Sequence, residues 1–149
     1  MSNIIGDPIE ILYIEDDPGD VALTKEVLMQ VKVRVNLSIT NDGISALKFL
    51  KKEGEYKEAP RPDLILLDLN LPGMDGREVL SEIKKDDSLK FIPVVVLTTS
   101  DADEDIVKTY TLGASCYVTK PVGLKEFSEM VKRIENFWFT IVKYPPKNF

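Results

Sequence analysis

Four short apolar runs in this chain end on side chains that can do chemistry. Ile11-Leu12-Tyr13-Ile14 ends at Glu15 and Asp16, and Leu64-Ile65-Leu66-Leu67 ends at Asp68. The run closing at Leu97 passes into Thr98-Thr99-Ser100, and Tyr117-Val118 passes into Thr119-Lys120-Pro121. Beyond Asp68 the chain breaks at Pro72 and Gly73, which sets the acid at a strand's C-terminal tip. In open α/β sheets that tip borders the crevice where ligands bind. With the first two of these strands side by side, three carboxylates converge, and such a cluster repels itself unless a cation occupies it or a proton is retained. Mg2+ takes hard oxygen ligands, usually one or two carboxylates together with water and phosphate oxygens. Phosphoryl transfer spreads negative charge over three equatorial oxygens, a demand met by a cation on one side, an ammonium on another and a hydroxyl for the remaining bond. Glu15, Asp16, Asp68, Thr98 and Lys120 therefore read together as a phosphoryl-transfer site built around an Asp nucleophile. Taken singly, each has a plainer reading. Asp16 or Asp17, ahead of Pro18, would cap a helix, Lys120 would be a cation paired with acids, and Thr98 a satisfied hydroxyl.

The elements that must hold these residues follow from hydrophobic period. Strands are predicted near residues 10–14, 33–40, 64–67, 93–97 and 116–118, the third and fourth apolar on both faces as in a covered parallel sheet. Leu23, Val27 and Val31 recur every four residues and mark a first helix; Ile44, Leu47 and Leu50 mark a second, and Val79, Leu80 and Ile83 a third. A fourth helix is predicted over 103–112, with acids at its start that suit the helix dipole. Phe127, Met130, Val131, Ile134 and Phe137 make a long fifth helix. Five strand–helix units give a three-layer α/β/α domain. Residues 51–61, charged and holding Gly54 and Pro60, read as a solvated extended loop, and the paired Pro145 and Pro146 forbid a helix in the tail.

Composition narrows the function classes. The 149 residues suit one domain with a single sizeable core, and 44% hydrophobic with 30% charged residues describe an ordinary globular protein. A formal net charge of -6, with only isolated pairs such as Lys51-Lys52 and Lys84-Lys85, argues against nucleic-acid binding. No stretch approaches the ~20 apolar residues of a membrane span, and residues 1–8 lack the basic start and apolar core of a signal peptide. One cysteine, Cys116, forbids an internal disulfide, so the cytoplasm is the simplest compartment. The absence of histidine excludes Ser-His-Asp and Cys-His catalysis and, with one cysteine, an ordinary zinc site. Any phosphohistidine must come from another protein.

Through Ile14-Glu15-Asp16-Asp17, Leu67-Asp68-Leu69-Asn70-Leu71-Pro72, Val96-Leu97-Thr98 and Tyr117-Val118-Thr119-Lys120-Pro121, the chain resembles a response-regulator receiver domain over essentially its whole length. The resemblance implies a single receiver domain spanning 1–149, with a core of about 8–142, a short N-terminal arm and a Pro-rich tail. It implies a doubly wound, flavodoxin-like parallel sheet of five strands in the order 2-1-3-4-5, with five helices. It further implies that Asp68 is the phosphoacceptor, that Glu15, Asp16, Asp68 and the Asn70 backbone carbonyl hold Mg2+ (with Mn2+ as a substitute), and that Lys120 makes the ionic contact. Thr98 is then the switch hydroxyl and Tyr117 the switch aromatic, whose plainer reading is a half-buried strand residue. Asn70 and Ser100 flank the phosphoryl site at positions that tune its lifetime, and the Lys120–Pro121 bond is cis. Such a protein is no enzyme in the ordinary sense. It takes a phosphoryl group from a histidine kinase, assists its own phosphorylation and dephosphorylation, and switches a protein-interaction surface. Glu15, where a typical receiver has Asp, is shared by many members.

A narrower resemblance runs through Glu53-Gly54-Glu55-Tyr56, Ala59-Pro60-Arg61-Pro62-Asp63, Gly76-Arg77-Glu78-Val79-Leu80 and Phe137-Trp138-Phe139-Thr140-Ile141-Val142. These segments are similar to stand-alone receivers that partner bacterial phytochrome-type histidine kinases. The last segment places apolar residues on more than one helix face, which fits folding back over the chain's own core or homodimerisation through this end; the homodimer is the expectation taken forward. A phosphatase forming an aspartyl phosphate is the rival reading, but such enzymes need a general acid two residues past the nucleophile, and Asn70 stands there. No Gly-x-Gly-x-x-Gly or Walker loop follows the first strand, so a nucleotide-binding protein is excluded.

Overall fold

The computed structural model describes residues 8–30 and 34–146. Val31 and Val33, expected at the end of a helix and the start of a strand, lie outside the described residues, as do the arm at 1–7 and the tail end at 147–149. Each predicted apolar run forms a strand: β1 (Ile9–Ile14), β2 (Val35–Thr40), β3 (Leu64–Asp68), β4 (Val94–Thr98) and β5 (Cys116–Thr119). They pair in parallel as one sheet in the order β2-β1-β3-β4-β5. The helices α1 (Pro18–Leu28), α2 (Gly43–Lys51), α3 (Gly76–Lys85), α4 (Asp103–Thr111) and α5 (Leu124–Asn136) complete the expected doubly wound α/β fold.

The strand period of two assigns alternate residues to opposite layers. Leu12, Ile14, Ile65, Leu67, Val94 and Val96 face one way and pack on Ala46, Phe49 and Leu50 of α2 and on Val79, Leu80 and Ile83 of α3. Ile11, Tyr13, Leu64, Leu66, Val95 and Leu97 face the other way, toward Val21 of α1, Met130 and Ile134 of α5, and Trp138. Val27 and Leu28 meet Phe127 and Val131 where α1 lies on α5. All residues of β3 and β4 are buried, as expected for strands covered on both faces.

Three expectations need correction. Residues 51–61 do not form a purely solvated loop: Gly54–Tyr56 is a 3-10 turn, and the Tyr56 ring packs on Phe49 at 5.5 Å between centroids, which buries apolar surface that water would otherwise cover. β3 and β4 each run one residue further than predicted, onto Asp68 and Thr98, because Asp68 pairs with Leu97 and Thr98 with Thr119 in the ladder. Two of the site residues are thus fixed by sheet hydrogen bonding rather than carried on a loop. The fifth helix does not run on through Phe137 as α-helix. It passes into a π-helical turn, Phe137–Ile141, where the Val142 amide donates to the Phe137 carbonyl at 3.1 Å. Trp138 drops from this turn into the core, only 7% exposed, and Tyr144 stacks on it at 6.3 Å.

Candidate functional site

The parallel register sets Ile14 beside Leu67, so the next residues, Glu15 and Asp68, emerge at adjacent strand tips. Glu15, Asp16 and Asp68 offer carboxylate oxygens that all lie within 4.8 Å of one another, Glu15 and Asp68 buried and Asp16 exposed. Asp17, not Asp16, takes the capping role: its side chain accepts from the amides of Gly19 at 2.8 Å and Asp20 at 3.2 Å, with Pro18 opening the helix. The choice follows from the turn, which aims one acid at its own helix and the preceding two at the cavity. That cavity, of about 440 Å³, is lined by Glu15, Asp16, Asp68, Asn70, Thr99 and Lys120, with Asp17, Pro18 and Asp20 at its α1 side.

Lys120 enters from the end of β5. Its ammonium donates to Glu15 Oε1 at 2.5 Å and Asp20 Oδ2 at 2.9 Å, and lies 3.5 Å from Asp68 Oδ2. Burial disfavours the Lys120 charge, but the hydrogen bonds to Asp20 and Glu15 outweigh it and move the pKa up, so the group stays an ammonium. Glu15 also accepts from the Tyr13 hydroxyl and the Asp17 amide, each at 3.3 Å. Burial, and then Asp68, push the Glu15 carboxyl up to about 7 against the pull of Lys120. One ammonium thus does not fully compensate this pocket. An all-oxygen donor set with surplus negative charge fits a hard divalent ion such as Mg2+ or Mn2+.

Thr98 is fully buried, and its hydroxyl accepts from Asn70 Nδ2 at 3.3 Å, while the Asn70 amide donates to Asp68 Oδ1 at 3.3 Å. Tyr117 is half-buried against the α2–α3 side of the core, and its hydroxyl donates to the Ser100 carbonyl at 2.9 Å. The expected residues Glu15, Asp16, Asp68, Asn70, Thr98 and Lys120 are therefore brought together, with Tyr117 reaching the loop that follows Thr98. The expected cis Lys120–Pro121 bond is not found: among the described residues no peptide bond is cis. Trans is the lower state before proline by about 0.5–1 kcal/mol, and the Lys120 ammonium reaches Glu15, Asp20 and Asp68 from a trans backbone.

Sequence reasoning missed several contributors. Asp20 is a partner of Lys120; its place in the first turn of α1, three residues past the Asp17 cap, was the available signal. Ser100, expected only as a small flanking group, donates through its hydroxyl to Asp105 Oδ2 at 2.7 Å, and Asp105 pairs with Arg77 at 2.9 Å. Arg77 also pairs with Asp75 at 3.2 Å, so a network tied to α3 holds the β4–α4 loop. Nothing in the one-dimensional pattern links Arg77 to Asp105. Gly76 packs so closely under the site that a Cβ there would fall 2.4 Å from the Asp68 carbonyl oxygen and 2.5 Å from Leu69 Cα.

Comparison with known proteins agrees with this fold. Response regulator Rcp1 of Synechocystis sp. is 49% identical over 145 residues, spanning 97% of this chain and 99% of that protein. The crystal structure of the Mn2+-bound form of Rcp1 matches with a TM-score of 0.90 at 50% identity, covering 93% of this chain and all 100% of that one. The phosphorylated cyanobacterial phytochrome response regulator RcpA matches with a TM-score of 0.91 at 46% identity, covering 94% of this chain and 100% of that one. With the family model for the response regulator receiver domain matching residues 11–132, the chain belongs to the response regulator receiver domain family.

Proposed function

We propose that Asp68 is the phosphoacceptor through which this receiver serves two-component signalling. The observation that carries the reading is the Lys120 ammonium 3.5 Å from Asp68 Oδ2, in a cavity whose other wall is the Glu15 and Asp16 carboxylates. An Asp68 carboxylate oxygen attacks the phosphorus of a kinase phosphohistidine; the O–P bond forms as the N–P bond breaks, and the imidazole nitrogen keeps the bonding pair and takes up a proton. Lys120 meets the charge that develops on the equatorial oxygens, and the Thr98 hydroxyl donates to another of them. Glu15, Asp16, Asp68 and the Asn70 carbonyl would hold Mg2+ or Mn2+, which supplies charge neutralisation across the transferring group. Thr98, once drawn to the phosphoryl group, releases the amide of Asn70 and shifts the β4–α4 loop. Tyr117, bound to Ser100 of that loop, carries the change to the β5 face and biases an existing two-state equilibrium.

The partner is a histidine kinase, of the phytochrome type by similarity to the phytochrome response regulator RcpA. The output surface lies about the C-terminal helix region and supports a homodimer there. Phe137, Leu124 and Val122 are exposed, beside a groove of about 500 Å³ lined by Cys116, Val118, Met130, Ile134 and others. Among the described residues no helix is long and apolar enough to cross a membrane, and the unpaired Cys116 thiol fits a reducing cytoplasm. The phosphatase alternative fares worse, because Asn70, already engaged with Thr98, offers an amide where a general acid is required. Incubation with a small phosphodonor and Mg2+, followed by intact mass measurement, is expected to add one phosphoryl group. Asp68→Asn and metal-free controls should add none, and uptake that persists in Asp68→Asn overturns the reading.

A further inference from the structure

Three acids surround the Lys120 ammonium, and they are not equivalent. Glu15 and Asp68 belong to the carboxylate cluster with Asp16, whereas Asp20 stands apart on the first turn of α1. The Lys120 side chain is 6% exposed, so water offers little pairing, and a buried ammonium without a partner is costly. A divalent ion in the cluster draws on the same carboxylates that pair with Lys120. Asp20 is then the acid partner left to it. Asp20 is also well placed to stay: its amide donates to the Asp17 cap at 3.2 Å, which fixes its backbone to the turn that carries Glu15 and Asp16.

We propose that Asp20 is a positioning residue that keeps the Lys120 ammonium paired beside Asp68 while Glu15 and Asp68 serve a divalent ion. This deepens the reading above and rests on Glu15, Asp16 and Asp68 being the ion's ligands. Linkage gives the consequence. Without Asp20, the ion can take Glu15 only by stripping Lys120 of its remaining partners, so ion binding weakens, and it weakens through Lys120. A mere loss of negative charge would weaken it whether or not Lys120 is present. A double-mutant cycle separates the two.

The experiment is calorimetric titration of the full chain with Mg2+ in the wild type, Asp20→Ala, Lys120→Met and the double variant, with thermal melts to show that each is folded. Asp20→Ala is expected to raise the Mg2+ dissociation constant about fivefold in the wild-type background, and less than about twofold in the Lys120→Met background. Asp20→Asn, which keeps an acceptor oxygen but no charge, should fall between. Equal factors in both backgrounds, or no change in either, overturn the proposal while leaving the metal site intact. A wild type that takes up no Mg2+ overturns the metal reading and this proposal with it. Should Lys120→Met fail to fold, ammonium-selective NMR of the Mg2+-loaded wild type decides: coupling between Lys120 15Nζ and the Asp20 carboxyl carbon is expected, and its absence is contrary.

Discussion

At the residue scale, the site works because side chains with opposed needs share one small space. Glu15 is buried with Asp68 beside it, and its carboxyl is pushed up to about 7. In the ion-free protein a raised carboxyl makes the folded chain bind a proton that the unfolded chain releases. The stabilisation is full below the ordinary Glu range, near 4.5, and is lost as pH rises through about 7. Mg2+ needs the ionised form, so the dependence reverses when the ion is supplied. Mg2+ affinity is expected to be roughly tenfold weaker at pH 6 than at pH 8, and Mg2+ should raise the melting temperature more at pH 8. Titrations at the two pH values test this, with Glu15→Gln expected to bind Mg2+ poorly at both. Equal wild-type affinity at pH 6 and pH 8 is contrary.

At the element scale, the sequence marked where strands end more surely than what braces them. Glu15, Asp16, Asp68, Thr98 and Lys120 were legible because each closes or follows an apolar run, and the strand tips of a parallel sheet converge by topology. The braces were not legible, since they pair residues that share no period: Arg77 on α3 with Asp105 on α4, and Lys120 with Asp20. The π turn after α5 was equally hidden, because an apolar run such as Phe137-Trp138-Phe139 fits an α-helix as well as a π turn. Gly76 is the brace with the least room. Its added Cβ in Gly76→Ala would strike backbone of the Asp68–Leu69 segment, which cannot swing aside as a side chain can. Gly76→Ala is expected to cost about 1–3 kcal/mol in urea unfolding and to slow phosphoryl uptake, since displaced Asp68 loses its spacing from Lys120. Unchanged stability with unchanged uptake would show that α3 does not register the site.

At the scale of the whole molecule, the two layers of the sheet divide the work. The α2–α3 side gives a continuous apolar core that reaches Tyr117, the proposed switch aromatic. The α1–α5 side is closed by Trp138, which the π turn delivers against Ile11, Tyr13 and Leu64. The C-terminal apolar cluster is therefore split between the chain's own core and its surface. Trp138 completes the chain's own core, while Phe137 remains 48% exposed beside the groove. Trp138→Ala is expected to destabilise by about 3–5 kcal/mol, read by circular dichroism in urea. Phe137→Ala should leave monomer stability within about 0.5 kcal/mol and, if this end is the dimer surface, shift the sedimenting species toward monomer. A stable Trp138→Ala variant would mean that this aromatic belongs to the surface after all.

Asp68 is the proposed receiver of the phosphoryl group. Borohydride reduces an acyl phosphate to the alcohol, so treatment of the phosphorylated chain followed by peptide mass mapping locates the acceptor. Homoserine at position 68, dependent on Mg2+ during phosphorylation, is the expected result. A reduced side chain at another acid, or a borohydride-resistant phosphate on Thr98 or Ser100, would contradict it.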